Sequence, residues 1–326
     1  IDSDRLVELS YAFYELGLDR VIPLSAEHSL GIDDLRSLIE EKIPAGEPPE
    51  IDREIRLAII GRPNVGKSSL VNRLLGADRV IVSEIPGTTR DSIDSLLVWE
   101  EKTYRLIDTA GIRRKGKTDL MAEKLSVVMA RKNLERSDVV VLMIDATEGA
   151  TKLDATIGGY AHEAGKPLII SVNKWDLVEK DTFTAIEFER TCRERMKFLD
   201  YAPVLFISAK TGQRISKILS LADSALTAGR KRITTGELNS FLERELASNL
   251  KSRGPGRKSV IKYGCQIGIS PPTFMLFLRG SKGLHFSRIR YLSNRLREHY
   301  GYAGTPIRIL QRTSTHKKVR SSETVT

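Results

Sequence analysis

Residues 61–68 read Gly-Arg-Pro-Asn-Val-Gly-Lys-Ser, the Gly-x-x-x-x-Gly-Lys-Ser phosphate loop. Nothing else in the chain restricts its possible folds as much, because such a loop works only between a buried strand and a helix. Both flanks fit: the apolar run Ile55–Ile60 precedes the loop and the helical pattern Ser69–Leu75 succeeds it. Successive backbone N–H groups of the loop turn inward as a nest for phosphate oxygens, and the helix N-terminus adds its positive dipole end. Gly61, Arg62, Pro63, Asn64, Val65, Gly66, Lys67, Ser68 and Ser69 are therefore expected to line a nucleotide phosphate site. Lys67 would reach the β- and γ-phosphates, and the Ser68 hydroxyl would coordinate Mg²⁺. The plain alternative is a Gly-rich turn that only starts a helix, and the motifs downstream argue against it.

Three such motifs appear in the order of a guanine-nucleotide switch. Asp108-Thr109-Ala110-Gly111 ends the strand-like run Tyr104–Asp108, which sets a carboxylate near the metal and a glycine N–H near the γ-phosphate. Asn173-Lys174-Trp175-Asp176 ends the run Pro167–Val172. The Asp176 carboxylate can accept hydrogen bonds from guanine N1–H and the 2-amino group. Adenine offers neither donor, so it would leave a buried acceptor unpaired. Ser208-Ala209-Lys210 comes after the run Val204–Ile207 and puts the Ala209 N–H within reach of guanine O6. Each motif is weak alone; at strand ends and in this order they predict a GTP/GDP site. Between the phosphate loop and Asp108, residues 84–91 (Glu-Ile-Pro-Gly-Thr-Thr-Arg-Asp) read as a loop with two threonines, either of which can hold Mg²⁺ while the γ-phosphate is present.

Charge is unevenly placed. Residues 1–50 hold 4 Lys/Arg against 12 Asp/Glu, residues 51–229 hold 28 against 25, and residues 230–326 hold 20 against 5. The basic character thus belongs to the C-terminal segment, and it implies a polyanionic partner, RNA or an acidic membrane surface. The apolar runs Val139–Ile144 and Pro167–Val172 have strand length, far short of the roughly 20 residues a membrane span requires. Cys192 and Cys265 lack metal-ligand spacing, and with no signal peptide visible at the acidic start they read as reduced thiols of a cytoplasmic protein. The Pro-rich, charged stretch 43–54 suits a linker, and a second boundary falls near residues 228–232. Between them strands and helices alternate in the doubly wound manner. From Thr234 the pattern becomes a capped helix, two strand-like runs (Ile261–Ile269 and Thr273–Arg279), a helix over 287–299 and a third strand at Pro306–Leu310.

The segment Pro-Gly-Thr-Thr-Arg-Asp, with Gly-x-Pro-Asn-x-Gly-Lys-Ser before it and Asp-Thr-Ala-Gly-Ile-Arg-Arg-Lys-Gly-Lys after it, resembles the bacterial Der (EngA) family of tandem GTPases. The resemblance implies an α/β chain: a P-loop GTPase domain (Ras-like doubly wound sheet) over 55–229, then a smaller α+β KH-like RNA-binding domain over 230–313 and a basic tail over 314–326. It also implies GTP hydrolysis in assembly of the large ribosomal subunit through rRNA contact. Catalytic roles then fall to Lys67, Thr89, Asp108 and Gly111, with Mg²⁺ on Ser68, Thr89 and Asp108; spacing alone does not separate Thr88 from Thr89.

Ile112 stands where many switch GTPases carry a water-orienting Gln. In GTPases with a similar Pro-Asn-x-Gly-Lys-Ser loop K⁺ sits beside the phosphates, which points to Asn64, although Asn64 could equally serve the loop turn. Arg113, Arg114, Lys115 and Lys117 suit phosphate or rRNA. The chain departs from the family pattern in having one phosphate loop. A repeat bears on this: Val21-Ile-Pro-Leu-Ser-Ala parallels Val204-Leu-Phe-Ile-Ser-Ala, aligning Ser25 with Ser208, so residues 1–42 read as the tail of a first GTPase domain otherwise missing. Gly280-Ser-Lys-Gly283 is not expected to be the Gly-x-x-Gly clamp of KH domains, which joins two helices. RNA contact is expected instead from Arg288, Arg290, Arg295 and Arg297 and from Lys317, Lys318 and Arg320. Rival readings are a tRNA-modification GTPase of the MnmE type, a small-subunit GTPase of the Era type and a non-catalytic RNA-binding scaffold; the C-terminal cysteine of the first is absent.

Overall fold

Strand β1 (Ile55–Gly61) carries four consecutive buried apolar residues, Leu57 to Ile60, as a strand covered on both faces must. In the computed structural model it lies inside a seven-stranded sheet of order β2-β3-β4-β1-β5-β6-β7. The other strands are β2 (Val82–Pro86), β3 (Ile93–Trp99), β4 (Lys102–Leu106), β5 (Val139–Asp145), β6 (Leu168–Asn173) and β7 (Val204–Phe206). β1 pairs in parallel with β4 and β5, and β6 and β7 continue that direction, while β2 and β3 run antiparallel to their neighbours. The structure describes residues 13, 21–25, 32, 34–35, 38, 54–76, 82–86, 93–109, 119–248, 260–280 and 283–314. The chain divides into two compact units, residues 1–53 and 54–326. Of the first, Ser25 is buried and forms an isolated bridge, as Ser208 does in the second.

Helices cover both sheet faces. Leu57 and Ile59 join Leu70 and Val71 of α1 (Lys67–Leu75) and Ile218, Leu219 and Ala222 of α5 (Ser216–Arg230) in one core. Ala58 and Ile60 face the other way, with Ala130 and Leu134 of α2 (Asp119–Arg136), Ile157 and Ala161 of α3 (Lys152–Glu163) and Cys192 of α4 (Thr184–Arg195). Burial pushes the Cys192 thiol up to about 11, so it stays protonated. One expectation needs correction: Glu84, Ile85 and Pro86 belong to strand β2 rather than to a loop. β2 is an edge strand, which is where a sheet tolerates proline.

The C-terminal part keeps the order read from sequence. Helix α6 (Thr235–Ser248) opens on a capping box: the Thr234 N–H and hydroxyl donate to Glu237 Oε2 at 3.0 and 2.9 Å, and the Glu237 N–H donates back to Thr234 Oγ1. Then come β8 (Val260–Gly268), β9 (Thr273–Arg279), α7 (Phe286–Tyr300) and β10 (Arg308–Ser314). β9 is the middle strand, antiparallel to β8 and parallel to β10. Phe274, Leu276 and Leu278 bury against Leu238, Phe241 and Leu242 of α6 and Leu292 and Leu296 of α7. Gly280 and Gly283 lie between a strand and a helix.

A seam joins this domain to the GTPase sheet at the starts of β6 and β7, the end of the sheet away from the phosphate loop. The Leu168 N–H donates to the Gly304 carbonyl (2.8 Å), the Gly304 N–H to Tyr201 (3.0 Å) and the Ser270 N–H to Gly229 (2.9 Å), while Arg308 donates to the Glu163 carbonyl (2.7 Å). Gly304 is at φ +71, and a Cβ there would lie 2.7 Å from the Ala225 Cβ.

The seam takes up Arg297 of the expected RNA-binding set, whereas the Arg290 and Arg295 side chains stay 47% and 42% exposed. The Arg297 guanidinium lies over the Tyr201 ring, 5.5 Å from its centroid, and 3.9 Å from Asp200, which Arg290 also approaches at 3.7 Å. Arg295 makes a two-pronged pair with Glu245, at 3.0 and 2.9 Å. Arg297 therefore belongs to the contact between the domains, and replacing it would lower stability, while exposed pairs such as that of Arg290 contribute little. Arg297→Ala is expected to cost about 2 kcal/mol, the scale of a desolvated cation–π contact. Thermal denaturation checks this, and an unshifted melting temperature would remove Arg297 from the seam's energetics.

Candidate nucleotide site

The loop after β1 turns through two left-handed residues, Asn64 at φ +63 and Gly66 at φ +98. Asparagine tolerates that region; position 66 admits only glycine, because a Cβ there would lie 2.2 Å from Asn173 Nδ2. Gly66 is the N-cap of α1 and supplies no side-chain cap, and the first turn, Lys67-Ser68-Ser69, holds no acidic residue. Its backbone N–H groups and dipole therefore favour an anion. Val65 is buried and anchors the loop to the core.

Lys67 Nζ donates to the Gly61 and Arg62 carbonyls, at 2.8 and 2.5 Å. Burial, with the neighbouring Arg62 charge adding and Asp154 opposing, pulls this ammonium down to about 8. A cation held this way gains from a phosphate. The Arg62 side chain is engaged elsewhere. It bonds Asp154 Oδ1 at 3.0 Å and Glu148 Oε2 at 2.8 Å, so of the expected phosphate-loop set it offers only its backbone. Asp154 is fully buried and also closes the capping box of α3 with Thr151. The spacing Thr151-x-x-Asp154 could have flagged it from sequence.

Asn173, the last residue of β6, ties the site together. Its Nδ2 donates to the Val65 carbonyl (2.8 Å) and its Oδ1 accepts from the Ala209 N–H (2.9 Å). One side chain thus fixes the phosphate loop against the Ser208-Ala209-Lys210 loop. Arg73 of α1 adds a second brace by donating to the Lys210 carbonyl. Lys174, at φ +62, pairs with the buried Asp145 at 2.5 Å. Asp176 sits in a short 3₁₀ turn, Trp175–Leu177, and a hydrogen bond from the Ser208 hydroxyl holds its carboxyl below the usual range. Asp176 is therefore an acceptor-only group at neutral pH.

β4 ends at Leu106, two residues before Asp108, because Asp108 takes φ +56. The Asp108 N–H donates to Asp94 Oδ1 (2.9 Å), and Asp94 Oδ2 accepts from Arg136 at the end of α2 (2.6 Å). Thr109 Oγ1 lies 3.0 Å from Ser95 Oγ. Asp94 and Asp145, which hold Asp108 and Lys174, do not stand out as site residues in the sequence. Thr88, Thr89, Ala110, Gly111, Ile112 and residues 113–117 lie outside the described residues, as do the linker through residue 53 and the tail from residue 315.

Phosphate loop, switch carboxylate, base-reading carboxylate and Ala209 N–H all converge at the carboxyl ends of β1, β4, β6 and β7, where doubly wound sheets bind ligands. That arrangement defines a P-loop GTPase. Residues 56–174 match the family described as 50S ribosome-binding GTPase, and residues 232–312 match the KH-domain-like C-terminal domain of EngA bacterial GTPase enzymes. The GTPase Der of Desulfitobacterium hafniense is 47% identical over 309 residues, 94% of this chain and 70% of that protein. The GTPase Der of Caldanaerobacter subterraneus subsp. tengcongensis is 49% identical over 308 residues, with the same coverage. Among solved structures, a point variant of Aquifex aeolicus Era bound to GDP·AlF4⁻ aligns over 80% of this chain and 93% of its own, with 22% identity and a TM-score of 0.40. The chain belongs to the Der (EngA) family of ribosome-assembly GTPases and hydrolyses GTP. Among the described residues no helix is long and apolar enough to cross a membrane.

Proposed function

We propose that the chain is a Mg²⁺-dependent GTP switch of large-subunit assembly in the cytoplasm, with its KH-like domain as the rRNA anchor. The observation that carries the switch reading is Asn173, whose two hydrogen bonds set phosphate and base loops in one frame. The donor set suits a magnesium nucleotide: a glycine with no space for a Cβ, a buried ammonium bonded to carbonyls and an uncapped helix N-terminus. In this reading Lys67 neutralises the β- and γ-phosphates, while Ser68, Thr89 and Asp108 hold Mg²⁺. The Gly111 N–H meets the γ-phosphate, Asp176 reads guanine N1–H and the 2-amino group, and the Ala209 N–H, which donates to Asn173 Oδ1, is shared with O6. Bound Mg²⁺ supplies neutralisation of the charge that develops between the β- and γ-phosphates. Asp94, bonded to the Asp108 backbone, positions the switch carboxylate against α2.

Ile112 has no group to orient the attacking water, so a K⁺ ion beside Asn64 is proposed to supply the missing positive charge. Hydrolysis should then rise when K⁺ replaces Na⁺ at constant ionic strength. Asn64→Ala should erase that difference and leave GDP binding largely intact, the left-handed turn costing about 1 kcal/mol of stability. Equal rates in the two salts would exclude the cation.

The anchor reading rests on the +15 net charge of residues 230–326, 20 Lys/Arg against 5 Asp/Glu. Affinity for rRNA should fall with salt along a log–log slope of about −0.7 to −0.9 per phosphate neutralised. Salt-insensitive binding would rule the anchor out. Because the chain matches 70% of the length of its Der relatives, we also place a further GTPase domain ahead of residue 1 in the full-length protein.

A further inference from the structure

The three-stranded sheet buries one face against α6 and α7 and presents the other outward. Along β9, Phe274, Leu276 and Leu278 are buried, while Met275, Phe277 and Arg279 alternate onto the opposite face and are partly or fully exposed. Register extends that face across the strands. Tyr263, Phe277 and Arg312 form one cross-strand row, and Cys265, Met275 and Leu310 form the next, about 7 Å away. Tyr263 is 42% exposed and Leu310 45%. The Tyr263 and Phe277 rings lie 5.2 Å apart at 36°. Lys262, at an irregularity of β8, is exposed beside them.

Carboxylates are confined to one side of this domain, although the helices carry arginines as well. The acidic residues between 230 and 314 are Glu237, Glu243, Glu245 and Glu298, and all four lie on α6 or α7. The strands carry Lys262, Arg279, Arg308 and Arg312 and no carboxylate. Arg308 is committed to the seam, and the other three surround the aromatic row. An apolar protein partner would not need such a cationic border; a polyanion with exposed ring faces would.

We propose that this open sheet face is a stacking site for single-stranded RNA, with bases on Tyr263 and Phe277 and phosphates on Lys262, Arg279 and Arg312. Paired bases hide their faces inside a duplex, so the site takes unpaired nucleotides. This rests on the rRNA-anchor reading and adds to it a surface and a preference for unpaired strands.

The test uses the whole chain, a twelve-nucleotide oligouridine and an RNA duplex of equal length, with affinity read by fluorescence anisotropy. Joint Tyr263→Ala and Phe277→Ala substitution should weaken oligouridine binding by roughly tenfold or more and leave duplex binding within about twofold. Tyr263→Phe, which keeps the ring, should bind like wild type. Arg279→Gln with Arg312→Gln should flatten the oligouridine salt slope by roughly one to two units. Full oligouridine affinity in the double-alanine protein would overturn the sheet site while leaving the anchor standing; wild type binding no RNA at all would overturn both. Photocrosslinking of 5-iodouridine RNA to the unaltered protein reads the site without a mutation. Adducts on Tyr263 or Phe277 are expected, and adducts confined to residues outside β8–β10 would contradict the proposal.

Discussion

Asp176→Asn should lower GTP affinity on the order of 10³-fold and turn preference toward XTP. The carboxylate is ionised, held by the Ser208 hydroxyl and limited to accepting. An amide in its place turns one acceptor into a donor, which opposes the 2-amino group of guanine and meets the 2-oxygen of xanthine. Sites that pair buried polar groups discriminate by such factors because the mismatched partner is left desolvated and unbonded. Competition between GTP and XTP on both proteins measures the change. Retained GTP preference in the mutant would dislodge Asp176 from the base site.

Lys67→Met should separate binding from stability. Loss of the ammonium should weaken GTP by roughly two orders of magnitude or more, the scale for removing one partner of a desolvated charge pair. The nucleotide-free protein should become more stable, by about 1 to 3 kcal/mol, because the buried cation is a cost without a phosphate to offset it. Proton linkage sets the sign. Lys67 lies near 8 in the folded chain against 10.5 unfolded, so the unfolded state binds more protons between these values. The cost is fully present below pH 8 and is relieved as pH rises through it. The wild type should therefore recover on the mutant between about pH 8 and pH 10 in denaturant titrations. A Lys67→Met protein less stable than wild type at pH 7 would show that the Lys67 bonds to Gly61 and Arg62 outweigh its desolvation.

Much of the frame could be read from the sequence because it is written locally. A phosphate loop, an Asp-Thr-Ala-Gly, an Asn-Lys-x-Asp and a Ser-Ala-Lys each come after an apolar run, and parallel strands bring such runs to one sheet end. The links between them could not be read. Asn173 reaches Val65 across 108 positions and Ala209 across 36, and Arg62 finds Asp154 across 92. No periodicity encodes such pairings. The arginines of α7 mislead for a related reason: a basic stripe looks alike whether it faces solvent, a second domain or a neighbouring helix. Only the fold shows Arg297 seated on Tyr201 and Arg295 paired with Glu245. β2 is hidden by Pro86, whose ring suits an edge strand but reads as a loop. The open sheet face is equally hidden, since Tyr263, Phe277 and Arg312 become neighbours only through register.

The seam lies at the starts of β6 and β7 and the nucleotide site at the strand ends, so any coupling between them passes through the sheet or the helices packed on it. Couplings of this kind amount to about 1 to 3 kcal/mol, or roughly 5- to 150-fold in affinity. Co-sedimentation of the chain with purified ribosomal subunits, in GDP and in a non-hydrolysable GTP analogue, measures that coupling and the partner together. A large-subunit GTPase switch should pellet with the large subunit at least about fivefold more tightly in the GTP-analogue state and leave the small subunit unbound. Equal binding in both nucleotide states, or binding to the small subunit alone, would contradict it.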